Sequence, residues 1–238
     1  MQITYLYHSG FIVRFNNMNV LIDYYSPHAD TPEPALVQAL ADPARKLYVL
    51  SSHAHHDHYD PRILRFESAC SDTTFVFSSD IDAGSSANIH YVDAQTNHTF
   101  DDGGISIRAF GSTDAGVSFL IRAEDRTVFH AGDLNNWHWN EESSPEESAQ
   151  FEANYLAELE KLAAFAPSVD AAMFPADPRL GKGFAKGAEQ FAAKIRTAHM
   201  LPMHFGERHS EANSAKPAIE QHGTTFCEVL HKGQVFQL

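Results

Sequence analysis

The stretch KLYVLSSHAHHDH at residues 46–58 decides the fold, because an apolar segment runs there directly into a histidine-rich one. Residues 46–50 are typical of a short buried strand. The residues that follow with the spacing of metal ligands are His53, His55, Asp57 and His58. His53 and His55 are two positions apart, so an extended backbone directs both side chains to one side. Asp57 and His58 then offer ligands to a second, adjacent point. The stretch therefore predicts a two-metal site at a strand end.

A chance cluster of solvated histidines and a regulatory histidine-rich tract stay open as alternatives to a two-metal site. Four of the 15 histidines of the chain fall within six residues, which argues against chance. Nitrogen and carboxylate ligands of this kind suit zinc, iron or manganese. We expect one or two divalent metal ions, with zinc first and manganese or iron as alternatives. His56 does not fit the ligand spacing and is expected at the surface or behind the ligands.

Outward from this stretch, the pattern alternates strands and helices in an order that favours two sheets. Strands are predicted at residues 3–7, 11–15, 19–23, 46–50, 74–78, 88–92, 98–100, 105–110, 117–123, 127–130, 169–174, 199–203, 226–230 and 234–238. Helices are predicted at residues 32–40, from 60–61 onward, and at 141–166, 185–197 and 211–222. This order predicts a sandwich of two sheets with helices outside. No linker divides the chain, so residues 1–238 are expected to form a single domain.

The clearest helix covers residues 141–166. Ser144 is a suitable N-cap, Pro145 stands at the first helical position, and Glu147 completes a capping box. The residues that recur at helical spacing are Phe151, Tyr155, Leu159 and Leu162. We expect them to form one buried face of the helix.

Composition and charge exclude several classes of partner. The 238 residues include 17 basic and 31 acidic ones, and the net charge of -14 disfavours a broad electrostatic grip on nucleic acid or on an anionic membrane. The mean hydropathy of -0.32 and the absence of a long apolar run argue against a transmembrane helix. Two cysteines form no disulfide framework and favour a reducing compartment. We therefore expect a cytoplasmic protein with a small-molecule substrate and leave homo-oligomer formation open.

Three further motifs accompany the histidine-rich stretch. They are Tyr7-His8-Ser9-Gly10-Phe11, Phe129-His130-Ala131-Gly132-Asp133 and Leu201-Pro202-Met203-His204. Together, in this order, they resemble the metallo-β-lactamase superfamily over the whole chain. The opening motif resembles the branch that contains ascorbate-6-phosphate lactonase and N-acyl phosphatidylethanolamine phospholipase D. The resemblance implies an α/β fold, the four-layer αβ/βα sandwich of two mixed β-sheets with helices on both outer faces.

The resemblance also implies a ligand set. The first metal would take His53, His55, Asp133 and a residue of the loop at 111–116, and the ligands implied for the second are Asp57, His58, Asp133 and His204. The family usually supplies a histidine from that loop, but residues 111–116 contain none. Asp114 is the expected substitute. The alternatives are a water molecule held by Thr113 or Asp114, and a first site that stays open and weak.

Other residues are expected around the metals. His8 stands at a strand end and is assigned a catalytic or supporting role, with a structural hydrogen bond as the alternative. Trp137 and His138 follow Asp133 closely and are expected to line the substrate pocket, although packing explains the tryptophan nearly as well. Arg179 is expected to bind an anionic group of the substrate, and an exposed basic loop is the alternative.

The function implied by the resemblance is hydrolysis. A metal-bound hydroxide would attack an ester, lactone or phosphodiester bond of a small molecule, with or without a phosphate group. Asp57 would orient the hydroxide or take its proton. A nuclease-like phosphodiesterase is the first alternative, although the negative charge argues against it. A non-catalytic metal-binding or sensor protein is the second.

Overall fold

Two seven-stranded sheets organise the computed structural model, which describes residues 1–27, 34, 36–37, 42, 45–68 and 72–238. The strands of the first sheet are β1 (Gln2–Tyr7), β2 (Gly10–Arg14), β3 (Met18–Ile22), β4 (Lys46–Ser51), β5 (Thr73–Ser78), β6 (Ile89–Val92) and β14 (Val235–Gln237). Those of the second are β7 (Thr99–Asp101), β8 (Ser106–Phe110), β9 (Ser118–Ala123), β10 (Arg126–His130), β11 (Ser168–Pro175), β12 (Arg196–Met203) and β13 (Thr225–Phe226). The predicted sandwich of two mixed sheets is confirmed.

Each sheet changes from antiparallel to parallel pairing at its middle. The first has the order β14-β1-β2-β3-β4-β5-β6, and the second β13-β12-β11-β10-β9-β8-β7. The pairs from β3 to β6 and from β10 to β13 are parallel, and the others are antiparallel. Because the carboxyl ends of parallel strands meet at one edge, the loops after β3, β4, β10, β11 and β12 are brought together in two groups.

Side-chain alternation explains why the sheets stack. In β4, Tyr48 and Leu50 belong to the main core with residues of the second sheet, whereas Leu47 and Val49 belong to a separate apolar cluster. A strand directs successive side chains to opposite faces, so β4 is apolar on both sides. The separate cluster also contains Ile63, from a short 3-10 helix over Pro61–Ser68. The first sheet is therefore covered on both faces.

Helices cover the outside of the second sheet. They are α1 (Pro145–Phe165), α2 (Lys186–Lys194), α3 (His209–Asn213) and α4 (Lys216–Glu220). The capping box of α1 is present, with Ser144 and Glu147 bonded to each other's backbone N–H. Tyr155, Leu159 and Leu162 are buried as predicted, but Phe151 is 37% exposed. The prediction was wrong for Phe151, because burial on this helix begins only at Tyr155.

Several element bounds differ from the sequence predictions for local reasons. The helix predicted at 185–197 ends at Lys194, because Arg196 already pairs with Ser168 in the second sheet. The helix predicted at 211–222 is divided in two, and Pro217 lies in the first turn of the second part. The strand predicted at 226–230 stops early, because the side chain of Asn213 bonds both backbone groups of Val229.

The structure does not describe most of the residues of the helix predicted at 32–40. Cys70, one of the two cysteines, also lies outside the described residues. Within the described part of the chain, none of the helices combines the length and hydropathy that a membrane span needs.

Candidate metal centre

The predicted ligands gather at the strand ends where the two sheets meet. His53, His55, Asp57 and His58 follow β4, Asp133 follows β10, His204 follows β12, and His8 lies between β1 and β2. Among the described residues, two groups of side chains have ligand atoms within 4.8 Å of one another. The first contains His53, His55 and Asp133, and the second contains His8, Asp57, His58 and His204.

Asp133 joins the two groups through its two carboxylate oxygens. Oδ2 lies 3.4 Å from Nε2 of His53, in the first group. Oδ1 lies 3.2 Å from Nε2 of His58 and 3.4 Å from Nε2 of His204, in the second group. One carboxylate in this position can contribute an oxygen atom to each of two neighbouring cations.

The unpartnered atoms of this cluster fit a bound metal. Nε2 of His8, Nε2 of His58 and Oδ1 of Asp133 are buried and have no hydrogen-bond partner of normal geometry among the described residues. Buried polar atoms are nearly always paired, so three unpaired ones in a single cluster call for a ligand. Two donors at 2.0–2.1 Å from a tetrahedral ion are about 3.4 Å apart, and the separations around Asp133 are close to that value.

Two buried carboxylates behind the cluster orient its histidines. Nδ1 of His58 donates to Oδ2 of Asp23 over 2.7 Å, and Nδ1 of His204 donates to Oδ2 of Asp177 over 2.9 Å. A carboxylate accepts only, so each Nδ1 carries a proton, and Nε2 is the nitrogen whose lone pair the neutral ring offers to a metal. Sequence reasoning did not identify Asp23 or Asp177 as supporting groups. Each directly follows a buried strand or lies two residues beyond one, as the predicted ligands do, and that signal was available.

Charge within the cluster shifts several pKa values. Burial alone would lower the pKa of His58, but the carboxylates of Asp133 and Asp23 raise it to about 10. Burial would likewise raise the pKa of Asp133, but His58, His204 and His53 hold it well below the usual range. The carboxylate is therefore ionised at neutral pH, as a metal requires. His58 has to release a proton before Nε2 can bind a cation, so metal binding here is coupled to pH.

Asp114 does not join either group. The residue is exposed, and its backbone N–H contacts Oγ of Ser112 at 3.3 Å. The preceding residue anchors the loop, because the Thr113 hydroxyl donates to the carbonyl oxygen of Asn135 over 2.6 Å. Gly116 then passes so close to the motif that a Cβ there would lie 2.0 Å from the carbonyl oxygen of Ser52. The loop thus approaches the first group through backbone, and the expectation that Asp114 supplies a ligand finds no support in this arrangement.

Of the two residues expected to line the pocket after Asp133, one supports a ligand and the other is part of the packing. Nε1 of Trp137 donates to the carbonyl oxygen of Asp133 over 2.8 Å, and its ring lies 5.4 Å from that of His204. His138 is 1% exposed, and its two ring nitrogens contact Gly183 and Asn140. The structure therefore buries His138 and bonds both of its ring nitrogens to backbone groups, and His138 is not among the residues that line the pocket beside the second group.

A pocket of about 330 Å³ opens beside the second group. The residues that line it include His8, Asp57, His204, Arg179, Tyr7 and Tyr25. Arg179 donates through Nε and Nη2 to both oxygens of Asp177, and its side chain is 56% exposed. Cavities of about 370, 410, 450 and 480 Å³ are larger, but no residue of either ligand group lines them.

Comparisons with known proteins agree with the fold and include proteins named as metal-dependent hydrolases. The family model described as "Beta-lactamase superfamily domain" matches residues 2–151. A UPF0173 metal-dependent hydrolase of Symbiobacterium thermophilum is 25% identical, and one of Desulforamulus reducens is 21% identical, with 100% of both chains covered in each case. Igni18, a metallo hydrolase of Ignicoccus hospitalis, has a similar structure. Its TM-score is 0.65 at 18% identity, with 100% of this chain and 98% of that one covered, which supports the fold alone.

Proposed function

The chain belongs to the metallo-β-lactamase superfamily of metal-dependent hydrolases, and we propose that it cleaves an ester, lactone or phosphodiester bond of a small anionic molecule. The observation that carries the proposal is the carboxylate of Asp133 between two groups of metal-binding side chains. The pocket beside the second group gives a small molecule access to that cluster.

The donor set supports two divalent ions, and we propose zinc. His53, His55 and Asp133 would hold one ion, and the proposed ligands of the other are Asp57, His58, His204 and Asp133. Imidazole and carboxylate donors are common ligands of zinc, and they also bind iron and manganese. When bound, such ions supply Lewis acidity and lower the pKa of a coordinated water molecule.

Asp57 is the residue that we propose to orient the attacking water. Its side chain is 27% exposed and it lines the pocket, so it is within reach of both solvent and substrate. Burial would raise the pKa of Asp57, but His8 and His58 hold it well below its usual range. The carboxylate is therefore ionised at neutral pH and accepts a hydrogen bond from water.

Arg179 supports an anionic substrate. The hydrogen bonds that it makes within the described part of the chain use Nε and Nη2, which leaves the two Nη1–H donors for a ligand. A planar guanidinium binds phosphate or carboxylate through parallel hydrogen bonds. We therefore propose that the substrate carries a phosphate or carboxylate group that binds on the Arg179 side of the pocket.

The experiment compares matched substrates with the zinc-loaded protein. A lactone and an ester are each assayed with and without a phosphate group, beside bis(4-nitrophenyl) phosphate and an oligonucleotide. We expect hydrolysis of a small substrate, with a lower KM for the phosphorylated form. Arg179→Ala should raise that KM more than the KM of the unphosphorylated form. Lys182→Ala is the control, because Lys182 is in the same loop but does not line the pocket.

Each contrary result has a distinct meaning. Fast cleavage of the oligonucleotide would favour the nuclease-like alternative and contradict a small substrate. Full metal loading without turnover of any of these bonds would favour a metal-binding or sensor protein. An equal effect of Arg179→Ala on both members of a pair would overturn the anion-binding role.

A further inference from the structure

We propose that His8 is a ligand of the second metal ion, which is then held by His8, Asp57, His58 and His204 in addition to the shared Asp133. The inference rests on the proposed function, since it assumes that metal binds at this cluster. It assigns to the turn between β1 and β2 a ligand that neither the ligand spacing nor the family resemblance supplied.

The distances around His8 match those between ligands of one small ion. Nε2 of His8 lies 3.4 Å from Oδ2 of Asp57, within the range of about 2.8–3.6 Å expected for two neighbouring donors that are 2.0–2.1 Å from a five-coordinate ion. The His8 ring lies 4.2 Å from that of His204 and 5.8 Å from that of His58, measured between centroids. The ligand atoms of all four residues lie within 4.8 Å of one another.

The surroundings of Nε2 leave it without another role. The side chain of His8 is 12% exposed, and Nε2 is buried with no hydrogen-bond partner of normal geometry among the described residues. Leaving a buried polar nitrogen unpaired is costly, and coordination removes that cost. A simple hydrogen bond to Asp57 would be shorter than the 3.4 Å observed.

The backbone holds His8 in this position. Its φ of 54° is in the left-handed region, which few residues other than glycine adopt. Its N–H donates to the hydroxyl of Tyr5 over 2.9 Å, and its carbonyl oxygen accepts from the N–H of His204 over 3.1 Å. The turns that carry His8 and His204 are therefore tied together, so the two imidazoles are presented as a pair.

An asymmetry between the two ions follows. The second ion has four ligands of its own, three of them imidazoles, whereas the first has only His53 and His55 besides Asp133. His55 is also exposed, so the first ion faces solvent. We therefore expect the second ion to be retained on dialysis and the first to exchange readily.

The experiment measures zinc affinity in His8→Asn beside the wild-type chain, by competition with a chromophoric chelator. Asparagine tolerates a positive φ but is too short to reach the ion. We expect the tighter affinity to fall by more than the roughly 10- to 100-fold that loss of an outer-shell partner costs. The rise in Tm on adding zinc should shrink in parallel. His56→Asn is the matched control, because His56 is an exposed histidine between His55 and Asp57 that belongs to neither group.

Two results would overturn the role of His8. One is an unchanged tighter affinity in a folded His8→Asn protein whose wild-type counterpart binds two ions. The other needs no variant: a crystal structure of the wild-type chain with one equivalent of zinc in which Nε2 of His8 lies beyond about 3 Å from the ion, rather than at 2.0–2.1 Å. If the wild-type chain itself binds no metal, the proposed function fails, and the two failures are thus distinguishable.

Discussion

Nδ1 of His58 donates a hydrogen bond of 2.7 Å to Oδ2 of Asp23, although the two residues follow different strands. Both side chains are 0% exposed, and Asp23 also accepts from the N–H and the hydroxyl of Ser52, each over 2.7 Å. Parallel pairing of β3 with β4 brings the two strand ends together. Asp23 thereby fixes the tautomer and the orientation of His58, and it fixes the start of the histidine-rich motif at Ser52.

Asp23→Asn tests this positioning role. The asparagine amide has a single oxygen atom. It therefore cannot accept hydrogen bonds from Nδ1 of His58 and from both groups of Ser52, as the two carboxylate oxygens do, and His58 loses its fixed orientation. We expect zinc affinity at the second site to fall about 10- to 100-fold, as for other outer-shell partners. Chelator competition measures it. Asp93→Asn, in an exposed turn after β6, serves as the control, and equal zinc affinity in the two variants would contradict the role of Asp23.

Most of the sandwich could be predicted from the sequence, because its strands are apolar stretches and polar turns bound them. In β4, Tyr48 and Leu50 face one core and Leu47 and Val49 the other, which makes a short continuous apolar stretch between polar turns. Such a stretch predicts a buried strand whatever its partners are. The order in which the strands pair was harder to predict from the sequence, since it depends on contacts between residues far apart in the chain.

The candidate site was predictable where its residues are close in sequence and less so elsewhere. The motif at 53–58 and Asp133 follow strands directly, and the structure brings them together. Asp23 follows a strand in the same way, but only the parallel register shows that it reaches His58. For Asp114 the sequence was misleading in the opposite sense. Its place in the loop suggested a ligand, but its side chain is exposed.

Ser144→Ala tests the local signal that was easiest to derive from sequence. Oγ of Ser144 accepts from the N–H of Glu147 over 3.2 Å, and the Glu147 carboxylate accepts from the N–H of Ser144 over 2.8 Å. Loss of such a cap costs about 1 kcal/mol, or roughly 2–4 °C in Tm for a chain of this size. Thermal unfolding checks it, with Ser143→Ala as the neighbouring control. Identical Tm values in the two variants would rule out a stabilising cap.

Asp114→Ala tests whether the loop at 111–116 contributes a ligand. Since the Asp114 side chain is exposed and outside both groups, we expect the variant to keep the zinc content and both zinc affinities of the wild-type chain. Elemental analysis after dialysis and chelator competition measure the two quantities. Selective loss of the first ion would instead show that Asp114 turns inward on metal binding and replaces the missing histidine.

Asp133→Ala distinguishes a shared carboxylate from an ordinary ligand. Its Oδ1 faces His58 and His204, and its Oδ2 faces His53, so its removal takes one donor from each ion at once. We expect the variant to lose the first ion on dialysis and to hold the second with lower affinity, whereas Asp23→Asn weakens chiefly the second site and leaves the first ion in place. Circular dichroism establishes that the variant is folded, and elemental analysis counts the metal. A folded Asp133→Ala protein that retains one tightly held ion with unchanged affinity would mean that Asp133 serves a single site, and the two groups would then bind their ions independently.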